Sequence, residues 1–165
     1  MKNVFKYICY MYLCICSSLN CNAATEFNST QIEKLVSTNG IVDTTQAVIH
    51  HTESGDVSAD EIDRWHKERG WDGIGYHFVI RKNGTIELGR SLNKLGAHAK
   101  GRNNFVGIVL TGRRGFTQKQ KQALEKLLLQ LKVQHIERHH ENCPGSGIYV
   151  EQIDERLRRR YENKY

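Results

Sequence analysis

Apolar residues along the chain follow two spacings, one typical of buried strands and the other typical of amphipathic helices. Short β-branched or alternating runs predict five strands, at residues 47–51, 74–81, 85–89, 105–110 and 134–138. Longer segments with an apolar stripe predict helices at residues 30–37, 58–69, 117–133 and 150–160. Elements in this order predict an α/β fold, with a single domain in which helices flank a mixed central β-sheet.

Cap and turn residues mark several of the element boundaries. Ser58 with Glu61, and Thr117 with Gln120, have the spacing of a capping box, which places a helix start at residues 58 and 117. The Lys-Asn-Gly sequence at residues 82–84 predicts a tight turn. The second and third strands are therefore predicted to form a hairpin.

The first 24 residues have the organisation of a secretory signal peptide. Residues 1–6 carry basic charge, residues 7–16 are uncharged and apolar, and residues 21–24 end in small residues. The apolar run is too short to span a bilayer, so we expect no stable membrane insertion once the signal is removed, with a membrane-anchored form as the alternative. We expect cleavage after Ala23 or Ala24, a functional domain at residues 25–165, and a secreted or periplasmic protein.

Only one of the five cysteines remains after that cleavage. Cys143 lies in the mature domain, and the others lie in the signal segment: Cys9, Cys14, Cys16 and Cys21. The mature protein is therefore predicted to have no internal disulfide. A lone thiol in an oxidising compartment is a liability unless something such as a metal ion occupies it. Cys143 is thus a candidate metal ligand, and the alternative is a buried, inert side chain.

The charge balance does not identify a partner. The whole chain carries a formal charge of +6, and removal of Lys2 and Lys6 leaves an excess of about four basic residues. This excess suits an anionic surface such as a bacterial envelope, and it also suits nucleic acid. The secretion signal disfavours the second reading, so we expect no nucleic-acid partner, and we expect a monomer.

Three side chains from two distant segments have the chemistry of a catalytic zinc site. His139 and Cys143 follow a predicted strand. In the segment at residues 46–52, His50 is the first of two histidines at which the apolar run breaks off. Imidazole and thiolate are preferred ligands of Zn²⁺, and three protein ligands leave a fourth position open for water. We therefore predict one zinc ion held by His50, His139 and Cys143. His135, eight residues before Cys143, offers an alternative register, but it would lie inside the strand.

Other polar or aromatic residues near these segments are candidates for the chemistry itself. Tyr76, at the start of a predicted strand, either extends its phenol over the sheet end or is a core aromatic. Glu141 is either a catalytic proton acceptor or an exposed loop carboxylate. His51 is a candidate for substrate binding beside His50, and the small residues around His98 leave space near its imidazole.

The order and spacing of these motifs resemble the zinc N-acetylmuramoyl-L-alanine amidases, the group that includes bacteriophage T7 lysozyme and the peptidoglycan recognition proteins. The resemblance covers roughly residues 45–145. The matching segments are VIHHT at 48–52, IDRWHKERGW at 62–71, GYHFVI at 75–80, KNGTIE at 82–87, GR at 89–90, AHAKG at 97–101 and HHENCPG at 139–145.

This resemblance implies a fold, an activity and a set of site residues. The fold would be the mixed α/β sandwich of these amidases, and zinc would be held by His50, His139 and Cys143. Tyr76 would assist the reaction, and His98 would lie in the substrate cleft. The substrate would be peptidoglycan or a muropeptide, cut between N-acetylmuramic acid and L-alanine, as in a cell-wall lytic, antibacterial hydrolase.

One departure from the family pattern concerns the segment before the cysteine. Similar enzymes usually have a longer segment between the second histidine and the cysteine, with a Lys or Thr two residues before the cysteine that polarises the substrate carbonyl. Here three residues separate His139 from Cys143, and none of them matches that Lys or Thr. The shortened segment supports an alternative function, a non-catalytic peptidoglycan-binding module of the same fold.

Overall fold

The computed structural model describes residues 40–163, so the predicted signal peptide and the predicted helix at residues 30–37 lie outside the described residues. Five strands and three helices follow in the order β1, α1, β2, β3, β4, α2, β5 and α3. Their bounds are Asp43–His51 for β1, Ala59–Glu68 for α1, Phe78–Ile80 for β2, Ile86–Leu88 for β3, Phe105–Leu110 for β4, Gln118–Gln130 for α2, His135–Arg138 for β5 and Val150–Glu162 for α3.

The strands form one mixed sheet in the order β3-β2-β4-β1-β5. Only β2 and β3 are antiparallel, whereas β2, β4, β1 and β5 pair in parallel. The prediction of a single α/β domain with a mixed central sheet is confirmed. The carboxyl ends of β1, β4 and β5 lie at one edge of the sheet, where ligands bind in open α/β folds.

Helices cover both faces of the sheet. Ile49 of β1 and Ile108 of β4 belong to the larger core with the leucines of α2 and Leu157 of α3, whereas Val109 belongs to a smaller core with Ile62 of α1. Side chains of a strand alternate between faces. Consecutive residues at the end of β1 therefore point in opposite directions, His51 towards the α2–α3 face and His50 towards the α1 face.

The first strand of the hairpin is shorter than predicted. Residues 74–77 were predicted to be in the strand, but β2 begins at Phe78. The backbone of Gly75 and Tyr76 hydrogen-bonds to Ala97 and Arg90 instead of continuing the ladder with β4. Gly75 allows this approach, because a Cβ there would lie 2.2 Å from the Ala97 carbonyl oxygen.

The two predicted capping boxes have different outcomes. At α2 the box is complete, since Thr117 Oγ1 accepts from the Gln120 amide and Gln120 Oε1 accepts from the Thr117 amide. At α1 only half forms: Ser58 accepts from the Glu61 amide, but the Glu61 carboxylate pairs with Arg64. Within residues 40–163 no helix is both long and apolar enough to cross a membrane.

Candidate metal centre

His50, His139 and Cys143 meet at the carboxyl edge of the sheet. Their ligand atoms all lie within 4.8 Å of one another. The parallel pairing of β1 with β5 sets this arrangement, because the amide of His139 donates to the Ile49 carbonyl at 3.2 Å and so continues the ladder past the end of β5. The structure therefore brings together the three side chains that the sequence predicts as zinc ligands.

A tight turn brings Cys143 close to His139 although only three residues separate them. The Cys143 amide donates to the His140 carbonyl at 2.9 Å, and the His140 amide donates to the Cys143 carbonyl at 3.3 Å. This turn directs the Cys143 side chain back towards β1, where the backbone amide of His51 donates to the sulfur. Burial raises the pKa of the Cys143 thiol above its ordinary value, and the His51 amide acts in the opposite direction.

His135, the alternative ligand, points away from this cluster. Its Nδ1 lies 2.7 Å from Oδ1 of Asp154 on α3, and Arg158 contacts the same nitrogen. Because His135 is the first residue of β5 and His139 follows the last, they lie at opposite ends of the strand. The structure thus brings His139, not His135, to the cluster.

His98 lies beneath His50 on the α1 side of the sheet. The two rings meet through His50 Nε2 and His98 Nδ1 at 3.1 Å, and the other nitrogen of His98 lies 3.2 Å from the Phe105 carbonyl oxygen. A Cβ at either Gly96 or Gly107 would lie 2.4 Å from His98 Cδ2. The two glycines therefore make room for the imidazole itself, which is buried, whereas the sequence-based expectation was open space beside it. Its predicted contact with substrate stays a prediction.

Tyr76 packs beside His50 although it comes from a different part of the sheet. Their ring centroids lie 5.0 Å apart. Tyr76 precedes β2 and packs against the smaller core, so it reaches His50 across the α1 face of the sheet and not over the sheet end. Burial, followed by the neighbouring Cys143 sulfur, raises the pKa of Tyr76 to about 12. The phenol is therefore protonated at neutral pH and can donate a hydrogen bond.

The electrostatics of the cluster favour neutral imidazoles. Burial, and then the neighbouring His98, holds the pKa of His50 well below 6.5, and burial followed by His140 lowers the pKa of His139. Neutral imidazole is the form that binds metal. His50 Nδ1 has no hydrogen bond within the described residues. Two neutral imidazoles and a thiol with free lone pairs thus fit a zinc ion.

A second feature of this edge is a polar cavity of about 830 Å³ beside His51. The His51 side chain is 3% exposed, and neither ring nitrogen has a hydrogen bond; Nε2 lies 3.3 Å from Glu53 Oε1 without alignment for one. Arg113, Arg114 and the predicted catalytic residue Glu141 also line the cavity. Glu141 is exposed and outside the metal cluster, so the structure leaves its catalytic role a prediction.

Comparison with known proteins identifies the family to which this arrangement belongs. Residues 40–146 match the family model described as N-acetylmuramoyl-L-alanine amidase, a range that contains His50, Tyr76, His139 and Cys143. The chain belongs to the N-acetylmuramoyl-L-alanine amidase family.

Relatives from phages, bacteria and insects are similar to this chain in sequence or in structure. The endolysin of Klebsiella phage KP32 is 44% identical over 102 residues, which cover 54% of this chain and 68% of the endolysin. The solved amidase LysCS from Clostridium intestinale is 36% identical, with a TM-score of 0.65 over 71% of this chain and 85% of that one. Drosophila PGRP-LB is 28% identical, with a TM-score of 0.57 over 65% of this chain and 78% of that one.

One structural contact of the amidase domain could not be read from the sequence. Arg102, in the loop before β4, donates to the carbonyls of Arg138 and His139 at 3.2 and 2.7 Å. The same guanidinium lies 3.1 Å from Glu137 Oε1. Arg102 therefore fixes the backbone at the end of β5, from which the His139 side chain projects. A single loop arginine carries no sequence signal of this role.

Proposed function

We propose that this amidase hydrolyses the bond between the lactyl group of N-acetylmuramic acid and L-alanine in peptidoglycan, with one zinc ion. The observation that carries the proposal is the convergence of His50, His139 and Cys143 within the segment that matches the amidase family. The endolysin and amidase names of the relatives support a cell-wall substrate.

The donor set determines what the bound ion supplies. His50, His139 and Cys143 would hold the zinc ion, which when bound would polarise a carbonyl and lower the pKa of its water from about 15.7 to about 7. The negative charge of the thiolate would reduce the net charge of the metal centre to +1. The ion would therefore be a weaker electrophile than one bound by neutral ligands alone. Chelation is therefore expected to abolish turnover without unfolding the sheet, because neither of its two apolar clusters includes any of the three ligands.

Tyr76 is the chain's own hydrogen-bond donor beside the cluster. Its hydroxyl has no hydrogen bond within the described residues, and it is protonated at neutral pH because burial raises its pKa. It is therefore free to donate to the oxyanion that forms when the scissile carbonyl is attacked. Since the family's Lys or Thr has no counterpart here, we assign this stabilisation chiefly to Tyr76.

The polar cavity gives the substrate room beyond the scissile bond. It adjoins the cluster, because its lining includes Asn142 and Gly145 on either side of the Cys143 turn. We propose that His51 and Glu141 contact substrate there, Glu141 as a proton acceptor within reach of a bound muropeptide. The buried ring of His51, whose nitrogens make no hydrogen bond within the described residues, supports this role, since such a group is costly unless it gains a hydrogen-bond partner.

Incubation of the purified mature protein with bacterial sacculi tests the proposal. We expect stem peptides that begin with L-alanine to be released, the release to stop with a chelator, and zinc to restore it. His139→Ala should abolish turnover and His135→Ala should retain it, since His135 lies outside the cluster. Tight binding to sacculi with no release at any zinc concentration would instead support the non-catalytic recognition module.

A further inference from the structure

We infer that His98 is a positioning residue that fixes which nitrogen of His50 faces the metal. The proposed zinc site is the basis of this inference, which adds a role for a residue outside the ligand set. A histidine that binds a metal through one nitrogen usually donates its other ring N–H to a carboxylate, a backbone carbonyl or water. Here the partner of His50 is a second histidine, His98.

The Phe105 carbonyl determines which ring nitrogen carries the proton in His98 and, through it, in His50. The Phe105 carbonyl can only accept, so His98 Nε2, which lies 3.2 Å from that oxygen, must carry the proton. A neutral His98 then has a lone pair on Nδ1. His50 Nε2, 3.1 Å from that lone pair, must therefore donate. The lone pair of His50 is left on Nδ1, the nitrogen that remains for the metal.

The surrounding packing holds His98 in this state. Gly96 and Gly107 both pack closely against the Cδ2 edge of the ring, since a Cβ on either would lie 2.4 Å from Cδ2. A flip of the ring by half a turn would replace Nδ1 with Cδ2 and Nε2 with Cε1, so it would break the contacts with both His50 and the Phe105 carbonyl. The ring is buried and its hydrogen-bond partners, His50 and the Phe105 carbonyl, carry no negative charge, so burial disfavours the charged imidazole.

A neighbouring histidine provides a matched comparison. His77 is as deeply buried as His98, its Nδ1 accepts from the Gly107 amide at 2.9 Å, and its Nε2 lies 3.2 Å from the Lys94 carbonyl oxygen. The ring of His77 contacts His98 but none of the proposed ligands. Loss of His77 should therefore disturb the same packing without changing the tautomer of His50.

Zinc affinity of the full mature protein, measured by competition with a chelator, tests the inference. We expect His98→Leu to weaken zinc binding about 10- to 100-fold, the usual effect of removing such a partner. His98→Asn should restore much of the affinity, because its Oδ1 can accept from His50 in place of Nδ1. His77→Leu should bind zinc like the wild type, although it unfolds at lower temperature.

Nitrogen-15 spectra of the wild-type imidazoles give a readout that needs no variant. The zinc-loaded protein should show His50 protonated at Nε2 and His98 protonated at Nε2. A His50 protonated at Nδ1, or a folded His98→Leu with wild-type zinc affinity, would overturn the inference. If the wild type binds no zinc, the proposed function fails, and the same spectrum without zinc still decides whether His98 sets the tautomer.

Discussion

The Tyr76 hydroxyl lies beside the cluster, and its removal is expected to leave the packing of the ring unchanged. Tyr76→Phe keeps the ring against His50 and removes only the proposed donor. We expect kcat to fall by a factor of about 10² to 10³, as on loss of one oxyanion donor. Zinc content and the thermal midpoint should stay at wild-type values. Near-normal turnover would make Tyr76 a core aromatic and leave the polarising group unidentified.

The buried imidazole of His77 makes the free energy of unfolding depend on pH. Burial lowers its pKa from 6.5 to about 4, so between these values the unfolded chain binds more protons than the folded chain. Acidification therefore favours unfolding. The contribution of His77 is fully present above pH 6.5 and is lost as pH falls towards 4. The shift corresponds to about 3 kcal/mol.

Comparison of the wild type with His77→Asn isolates this effect. The Asn Oδ1 can still accept from the Gly107 amide but does not titrate. Urea unfolding at several pH values, with chelator present throughout, should show a flatter decline between pH 6.5 and 4 for the variant. Parallel curves for the two proteins would mean that His77 does not cause the acid sensitivity.

At the level of secondary structure, short-range signals predicted the strands and helices better than they predicted the contacts between them. The apolar runs at β1 and β4 and the cap at Thr117 are local, so the sequence alone located these elements. The placement of His98 against Gly107 depends on a loop that folds onto a strand nine residues later. The spacing of apolar residues carries no information about such an approach. The sequence therefore predicted that His98 lies near the substrate, but not that it hydrogen-bonds to His50.

The Arg102 side chain connects the loop before β4 to the end of β5, although β4 and β5 are not neighbours in the sheet. Arg102→Met removes the donors to the Arg138 and His139 carbonyls. Since each carbonyl left without a partner costs about 1–3 kcal/mol when buried, we expect a lower thermal midpoint and weaker zinc binding. The measurements are thermal unfolding and chelator competition.

An arginine on the exposed side of α1 is the control for this variant. Arg64 pairs with Glu61 and Glu68, and its side chain is 56% exposed. Arg64→Met should change stability by less than about 0.5 kcal/mol and leave zinc affinity unchanged. An equal loss of zinc affinity in the two variants would indicate a general charge effect and not the Arg102 contact.

For the whole molecule, the compartment and the chemistry of Cys143 are linked. We propose that the chain is exported, because residues 1–24 have the order of a signal peptide. Intact-mass measurement on protein from the native host should find an amino terminus near Ala24 or Thr25. Full-length protein inside the producing cell would contradict export and remove the argument that an oxidising environment requires a metal at Cys143.

The opposite orientations of His50 and His51 place the proposed metal site and the proposed substrate cavity on different sides of β1, which suits protein engineering. Arg113, Arg114, Ser146 and Tyr149 line the cavity beside His51, whereas Tyr76 packs against the smaller core on the α1 side of the sheet. A library confined to these four positions would vary what the cavity accepts while retaining the metal ligands. Selection from such a library against walls of different composition could then change the range of bacteria attacked without rebuilding the active centre.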